Sequence, residues 1–170
     1  MPVERWLDLT ALALLVTANS TPVLLSMVLG RRWAQPIDGG LKLPDGRPLL
    51  GSHKTWRGLI GGTAAAGIVG AVLSVGFAAG AAFGLLALLG DLVSSFIKRR
   101  MGRASGRDTP FLDQLPEALL PMIVLHDRLD LTLHAIAGTA VVFMVLDLLA
   151  TGLLGSRKAP SEPDPRETDR

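Results

Sequence analysis

There is no cysteine in this 170-residue chain, so disulfides and thiolate metal sites are excluded. Aromatic residues supply only 5% against 49% hydrophobic residues, so the apolar mass is aliphatic and small. Charge is absent from long stretches: Lys, Arg, Asp and Glu collect in two internal loops and at the C-terminus. The net charge of +2 is too small to argue for nucleic acid as a partner. Familiar site motifs are missing as well. There is no G-x-G-x-x-G and no P-loop, no G-x-S-x-G and no H-E-x-x-H. His53, His126 and His134 are too far apart in the chain to suggest a zinc cluster.

What is present reads as a polytopic membrane protein, an all-α bundle of about five transmembrane helices. Residues 7–29 are long enough to cross a bilayer at roughly 20 residues per span. They lack a basic n-region and a small-residue cleavage site, which favours a retained helix over a signal peptide. Residues 59–74 and 76–95 form the second and third spans, joined by a very short turn around Val75. Gly58/Gly62, Ala66/Gly70 and Gly76/Gly80/Gly84 are small residues four apart, the spacing that lets helices pack closely in lipid. Residues 112–129 and 131–154 form the fourth and fifth spans. Residues 1–156 thus make one integral-membrane domain, and 157–170, with Pro160, Pro163 and Pro165 among charges, a solvated disordered tail.

Basic residues orient this layout. The loop 30–57 carries six (Arg31, Arg32, Lys42, Arg47, Lys54, Arg57), and the loop 98–114 carries five (Lys98, Arg99, Arg100, Arg103, Arg107). The opposite side has only Arg5 and Arg128. The positive-inside rule then puts the N-terminus out, the C-terminus in and both loops in the cytoplasm.

Three polar features interrupt the apolar frame. Within the first span, Asn19-Ser20-Thr21-Pro22 has two readings. Pro22 removes a backbone donor and the three polar side chains satisfy freed carbonyls, or an interrupted helix lines a polar cavity at membrane depth. The end of the first loop, 51–58, opens into a helix with Lys54 and Arg57 beside it. That is either interfacial anchoring with Trp56 or an anion site at a helix start. In the third span Asp91, Ser95 and Lys98 fall at i, i+4 and i+7, on one helical face. An acid, a hydroxyl and an ammonium at the end of a membrane helix are costly without a task. Holding a divalent metal and phosphate oxygens is the task they suit. Asp91 and Asp113 fall near the inner ends of adjacent antiparallel helices, within reach of one metal cluster. Asp113 and Glu117 form an i, i+4 pair. Asp38 and Asp45 add carboxylates on the same side, and Lys98, Arg99, Lys54 and Arg57 add cations. Carboxylates with phosphate-binding cations suit metal-assisted phosphoryl or nucleotidyl transfer. Asp147, inside the fifth span, either pairs with another helix or serves this site. A carrier would instead spread polar groups through the membrane middle on several helices.

The motifs carry a resemblance. Gly90-Asp91-Leu92-x-x-Ser95-x-x-Lys98-Arg99 resembles the signature of membrane CDP-lipid synthases, and Lys54-Thr55-Trp56 with Gly58, Gly61 and Gly62 resembles their segment before a helix. The smaller CDP-archaeol synthase branch is the closer match. It shares Asn-x-x-Pro (Asn19 to Pro22), Pro36-Ile37-Asp38, the stretch from Asp45 to Gly51, and Leu112-Asp113-Gln114-Leu115. The resemblance implies a cytidylyltransferase that joins CTP to an isoprenoid-ether glycerol phosphate, with Mg²⁺. Asp91 and Asp113 would hold the metal, with Lys54 and Lys98 also catalytic. Thr55, Arg57, Ser95, Arg99, Asn19, Asp38 and Asp45 would bind substrate. It places the enzyme in the cytoplasmic membrane, with its site on the cytoplasmic face, and allows a homodimer. The P-G-H-G-G run of ordinary phosphatidate cytidylyltransferases is missing; here Asp108 to Asp113 reads D-T-P-F-L-D, which points away from phosphatidate. Ser52-His53 before Lys54 also departs from most relatives.

Overall fold

Asp8 starts the first helix, α1 (Leu9–Leu29), by accepting the Ala11 N–H on its carboxylate at 2.8 Å, a side-chain cap. The computed structural model describes residues 6–103 and 114–155, the last five by backbone alone. Asp108, Asp113 and the tail 157–170 lie outside them. Helices α2 (Trp56–Val72), α3 (Phe77–Arg100), α4 (Gln114–Val124), α5 (His126–Leu129) and α6 (Leu133–Gly155) follow. The only pairings of extended chain among the described residues are two isolated bridges, Pro36 with Thr55 and Lys42 with Pro48.

Three helices are long and apolar enough to cross a membrane: α1, α3 and α6 over Leu133–Ala150. The 17 residues of α2 are a little shorter. The fourth segment differs from the single rod expected over 112–129. Its 11-residue helix α4 is about 16 Å long at ~1.5 Å per residue, roughly half a hydrocarbon core. The chain then breaks at Leu125, makes one turn in α5 and ends it on Asp130 at φ 52°. The cluster His126, Asp127, Arg128 and Asp130 is too polar to continue through hydrocarbon.

Small residues set the helix spacing. A Cβ on Gly70 would lie 2.7 Å from the Gly80 Cα, and one on Gly84 would lie 2.5 Å from the Ala66 Cβ. The α2 and α3 backbones therefore meet as a tight hairpin. Gly76 is not helical as expected but precedes α3 at φ 94°, turning the hairpin together with Ser74 at φ 62°. Gly62 faces α1 instead, where a Cβ would meet the Ala18 carbonyl oxygen at 2.7 Å.

That contact settles how α1 carries Pro22. The helix runs unbroken from Leu9 to Leu29, so it is not interrupted, yet Asn19 and Pro22 do line a cavity with polar walls. Asn19, Ser20 and Thr21 donate to the carbonyls of Leu15, Val16 and Thr17, one turn back in each case. The Ala18 carbonyl, which Pro22 leaves without its helical donor, is covered by Gly62.

The core is Phe83, Leu14, Leu15 and Met122 packed among Ala11, Ala18, Ala66, Ala87 and Ala118. At the far end, the residues before α1 dock on α6: the Asp8 N–H donates to the Thr139 hydroxyl at 2.9 Å, and Trp6 meets His134 edge-on at 5.0 Å. At the near end, the first loop and the C-terminus of α3 come together. The first loop and the basic residues Lys98 to Arg103 therefore share one end of the bundle.

Candidate functional site

The chain around Lys54 is fixed by backbone pairing. Ile37 N–H donates to the Lys54 carbonyl at 2.8 Å and Trp56 N–H to the Gln35 carbonyl at 3.1 Å. Thr55 then caps α2, its hydroxyl accepting the Gly58 N–H. Asp38 pins the other side of the loop by accepting from Leu50 at 2.9 Å, Gly51 at 3.1 Å and Gly40 at 3.0 Å. Burial would raise its carboxyl, but these backbone N–H groups outweigh burial and hold it below the usual carboxylate range.

Asp45 is spent on a clasp. One carboxylate oxygen accepts the Arg47 N–H at 3.0 Å and the other accepts Arg100 Nη1 at 2.6 Å. The Arg47 N–H and the Arg100 guanidinium keep it below its ordinary pKa. Arg100 also donates to the Pro48 carbonyl at 2.6 Å, and Arg47 returns a bond to the Arg100 carbonyl at 2.5 Å. An exposed ion pair alone contributes little, but here the same guanidinium also bonds two loop carbonyls. Arg100→Ala is therefore expected to raise opening of the 41–49 hairpin about ten-fold, with Arg100→Lys in between because an ammonium lacks the fork. Limited proteolysis in detergent reads this; unchanged cleavage would mean the hairpin holds itself.

Helix α3 brings the rest. It runs on to Arg100 instead of ending near Ser95, so Lys98 and Arg99 are helical, not in the loop. Cations in the last turn suit the exposed carbonyls there. Asp91, Ser95, Lys98 and Arg99 line a cavity of about 770 Å³ together with Lys54, Thr55, Arg57 and Asn19. Lys54 Nζ lies 2.5 Å from Asp91 Oδ2, with the two side chains 25% and 19% exposed, so the pair is half-sheltered yet reachable. The two sequence-derived acids that do not line the cavity are Asp38 and Asp45; the loop and the clasp use them. Asp113 lies outside the described residues.

The acid that faces Asp91 is Glu117. It is buried on α4, and its carboxyl sits within hydrogen-bonding range of Asp91 while also feeling Lys54 and Asp147. Gly90 makes this possible, since a Cβ there would lie 2.2 Å from the Pro116 carbonyl oxygen. Asp147 both pairs and serves: it accepts Gln114 Nε2 at 2.9 Å and lines the cavity. The signal for Glu117 was its place one turn after Asp113 on an otherwise apolar helix; Gln114 lay in the Leu112–Leu115 motif, which did not say that it would pair with Asp147.

No group of three or more His, Cys, Asp or Glu side chains is gathered as a metal nest among the described residues. A hard cation such as Mg²⁺ needs only one or two carboxylates, with waters and substrate phosphates completing its shell. The Asp91–Glu117 pair meets that demand in number: it brings two neighbouring carboxyls to the cavity wall.

The chain is similar to known proteins. A family model described as CarS-like, CDP-archaeol synthase, matches residues 7–155. The CDP-archaeol synthase of Aeropyrum pernix is 41% identical over 153 residues, covering 84% of each chain. That of Thermococcus onnurineus is 45% identical over 109 residues, 58% of this chain and 61% of that one. A solved structure described as "Structural insight into an intramembrane enzyme for archaeal membrane lipids biosynthesis" superposes with a TM-score of 0.69 at 35% identity, covering 84% of this chain and 90% of that one. The lipid-facing glycine-packed helices, the Lys54–Asp91 pair and these matches agree: the chain belongs to the CarS-like family of CDP-archaeol synthases.

Proposed function

We propose that this chain is a membrane cytidylyltransferase that condenses CTP with an isoprenoid-ether glycerol phosphate, giving CDP-archaeol and pyrophosphate. Family membership supports the reaction, and the observation that carries it to these residues is the Lys54–Asp91 pair on a cavity walled by further cations. A lipid phosphate oxygen attacks the α-phosphorus of CTP. The new P–O bond forms as the bond from the α-phosphorus to the bridging oxygen breaks, and pyrophosphate leaves with the electron pair. The nucleophile is already anionic at neutral pH, so no general base is required.

Lys54, Lys98 and Arg99 hold triphosphate oxygens and offset the charge that builds on them. Ser95 and Thr55 offer hydroxyl donors on the same wall. Asp91 and Glu117 would hold Mg²⁺, with Asp113 as a further candidate ligand, and the metal would supply Lewis-acid polarisation of the phosphates. Asp91 also orients Lys54, while the mostly buried α3 face excludes water from the triphosphate.

We place the site at the cytoplasmic face of a multi-pass cytoplasmic-membrane protein, N-terminus out and C-terminus in, with α1, α2, α3 and α6 as full-length passes and the short α4 as the return between the last two. The clustering of basic residues at the site end supports this orientation. Purified protein in detergent, given labelled CTP, Mg²⁺ and a panel of lipid phosphates, tests the function. The expected product, identified by mass spectrometry, is the CDP-activated isoprenoid ether. A product from phosphatidate alone would reassign the lipid, and no CTP consumption with any lipid phosphate would overturn the reading.

A further inference from the structure

The cavity has cations on two walls, and we infer that Arg57 and Arg31 form the subsite for the phosphate monoester of the lipid, opposite a triphosphate wall at Lys98 and Arg99. This deepens the cytidylyltransferase reading and rests on it. The two walls differ in depth. Lys98 and Arg99 are only 9% and 3% exposed, inside the bundle. Arg57, in the first turn of α2, is half-buried, and Arg31, just after α1, is exposed, so both sit at the cavity's outer part.

The α1 wall beside Arg57 borders an exposed apolar face. Pro22, Val23 and Ser26 line the cavity there, and Leu24 and Met27, which do not line it, are 56% and 61% exposed. Pro22 is also the nearest neighbour of Gly58, one residue after Arg57, where a Cβ would lie 3.1 Å from the proline ring. A lipid phosphate is tethered to chains that remain in hydrocarbon, so its headgroup can reach only a wall that borders the bilayer. A nucleotide has no such tether and can sit deeper.

Chemistry requires the same separation. In an in-line displacement the attacking and leaving oxygens stand on opposite sides of the phosphorus. The lipid phosphate and the departing pyrophosphate therefore need opposite walls, and two polyanions need separate cations to bind together. Arg57 has donors to offer. Its Nη1 donates to the Arg32 carbonyl, which fixes the guanidinium where Arg57 lines the cavity and leaves its other terminal nitrogen uncommitted to that bond. A guanidinium held in place with donors to spare suits bidentate recognition of a phosphate.

The test separates the two substrates. Arg57→Gln is expected to raise KM for a dialkylglycerol phosphate roughly 10–100-fold, the loss typical of a hydrogen bond to a charged group, with KM for CTP unchanged. Lys98→Ala is expected to do the reverse. Because Arg57 also steadies the loop through Arg32, Arg31→Gln serves as a second variant and should move KM in the same direction as Arg57→Gln. Ether-linked and ester-linked glycerol phosphates should suffer equally from Arg57→Gln, since the phosphate and not the chains is read; a loss confined to one chain type would overturn the assignment. So would a rise in KM for CTP as large as that for lipid, or no change in either. A binding arm without CTP keeps this independent of turnover. In nanodiscs the wild-type protein should retain dialkylglycerol phosphate over the same lipid lacking phosphate, and Arg57→Gln should abolish that preference. If wild-type protein transferred no cytidylyl group, the proposed function would fall, while the binding arm would still decide the subsite.

Discussion

Asp91→Asn is expected to lower CTP-dependent turnover by about 10³-fold while leaving the protein folded in the membrane. The two outcomes follow from one geometry. An asparagine oxygen can still accept from Lys54 Nζ, which lies 2.5 Å from the present carboxylate, so the contact between the loop and α3 survives. The lost charge also relieves Glu117, which presses its own carboxyl against Asp91. Stability should therefore change little, whereas a cation at the phosphates loses a ligand and Lys54 loses the charge that orients it. Lys54→Ala makes the contrasting case. It leaves two neighbouring carboxyls with no ammonium between them, and should lose activity and also ~1–2 kcal/mol of stability, given side chains a fifth to a quarter exposed. The double variant should be little worse in turnover than Asp91→Asn alone, because losing Asp91 already removes the charge that orients Lys54. Turnover with labelled CTP and melting in detergent measure both quantities. Normal turnover in Asp91→Asn would remove that residue from the reaction.

Much of this site was legible in the sequence because helical spacing is a rigid rule. Asp91, Ser95 and Lys98 share a face at any helix length, and all three line the cavity. The glycines four apart were legible as packing faces for the same reason, although the sequence does not say that Gly62 meets α1 while Gly70 meets α3. Loop carboxylates were not legible. Asp38 and Asp45 belong to motifs that resemble a substrate-binding family, yet they accept from loop backbone and, for Asp45, from Arg100. Nothing in local pattern separates a carboxylate that binds substrate from one that shapes the loop beside it. Pro22 misled in the other direction. Its local effect is to remove a donor, but the close approach of Gly62 on another helix covers the exposed carbonyl and α1 stays whole. The partner of Asp91 was hidden for a related reason: the approach of α4 to α3 depends on a missing side chain at Gly90, and only the three-dimensional contact shows which acid that approach delivers.

That missing side chain carries the second large effect. Gly90→Ala adds a Cβ that would lie 2.2 Å from the Pro116 carbonyl oxygen, 2.5 Å from the Pro116 carbonyl carbon and 2.8 Å from the Glu117 backbone nitrogen. All three are backbone atoms, so no rotamer change relieves the clash, and carbon contacts need ~3.5–4.0 Å. Helix α4 must move away by about an ångström. Overpacking of this kind costs ~1–3 kcal/mol, which alone predicts a lower melting temperature. The functional loss should be larger than stability explains. Gly90 precedes Asp91 and Pro116 precedes Glu117, so displacement of the two backbones separates the two carboxyls directly. A misplacement near an ångström costs ~10²-fold in rate. Gly76→Ala is the matched control: it strains a φ of 94° at the opposite end of α3, with nothing within 4 Å of the added Cβ, and costs ~1–3 kcal/mol without touching the site. Turnover is then compared at temperatures where both variants remain folded. Gly90→Ala should be ~10²-fold slower and Gly76→Ala near wild type. Equal rates in the two variants would show that the distance between α3 and α4 does not set the reaction, and that Glu117 stands beside Asp91 without sharing its work.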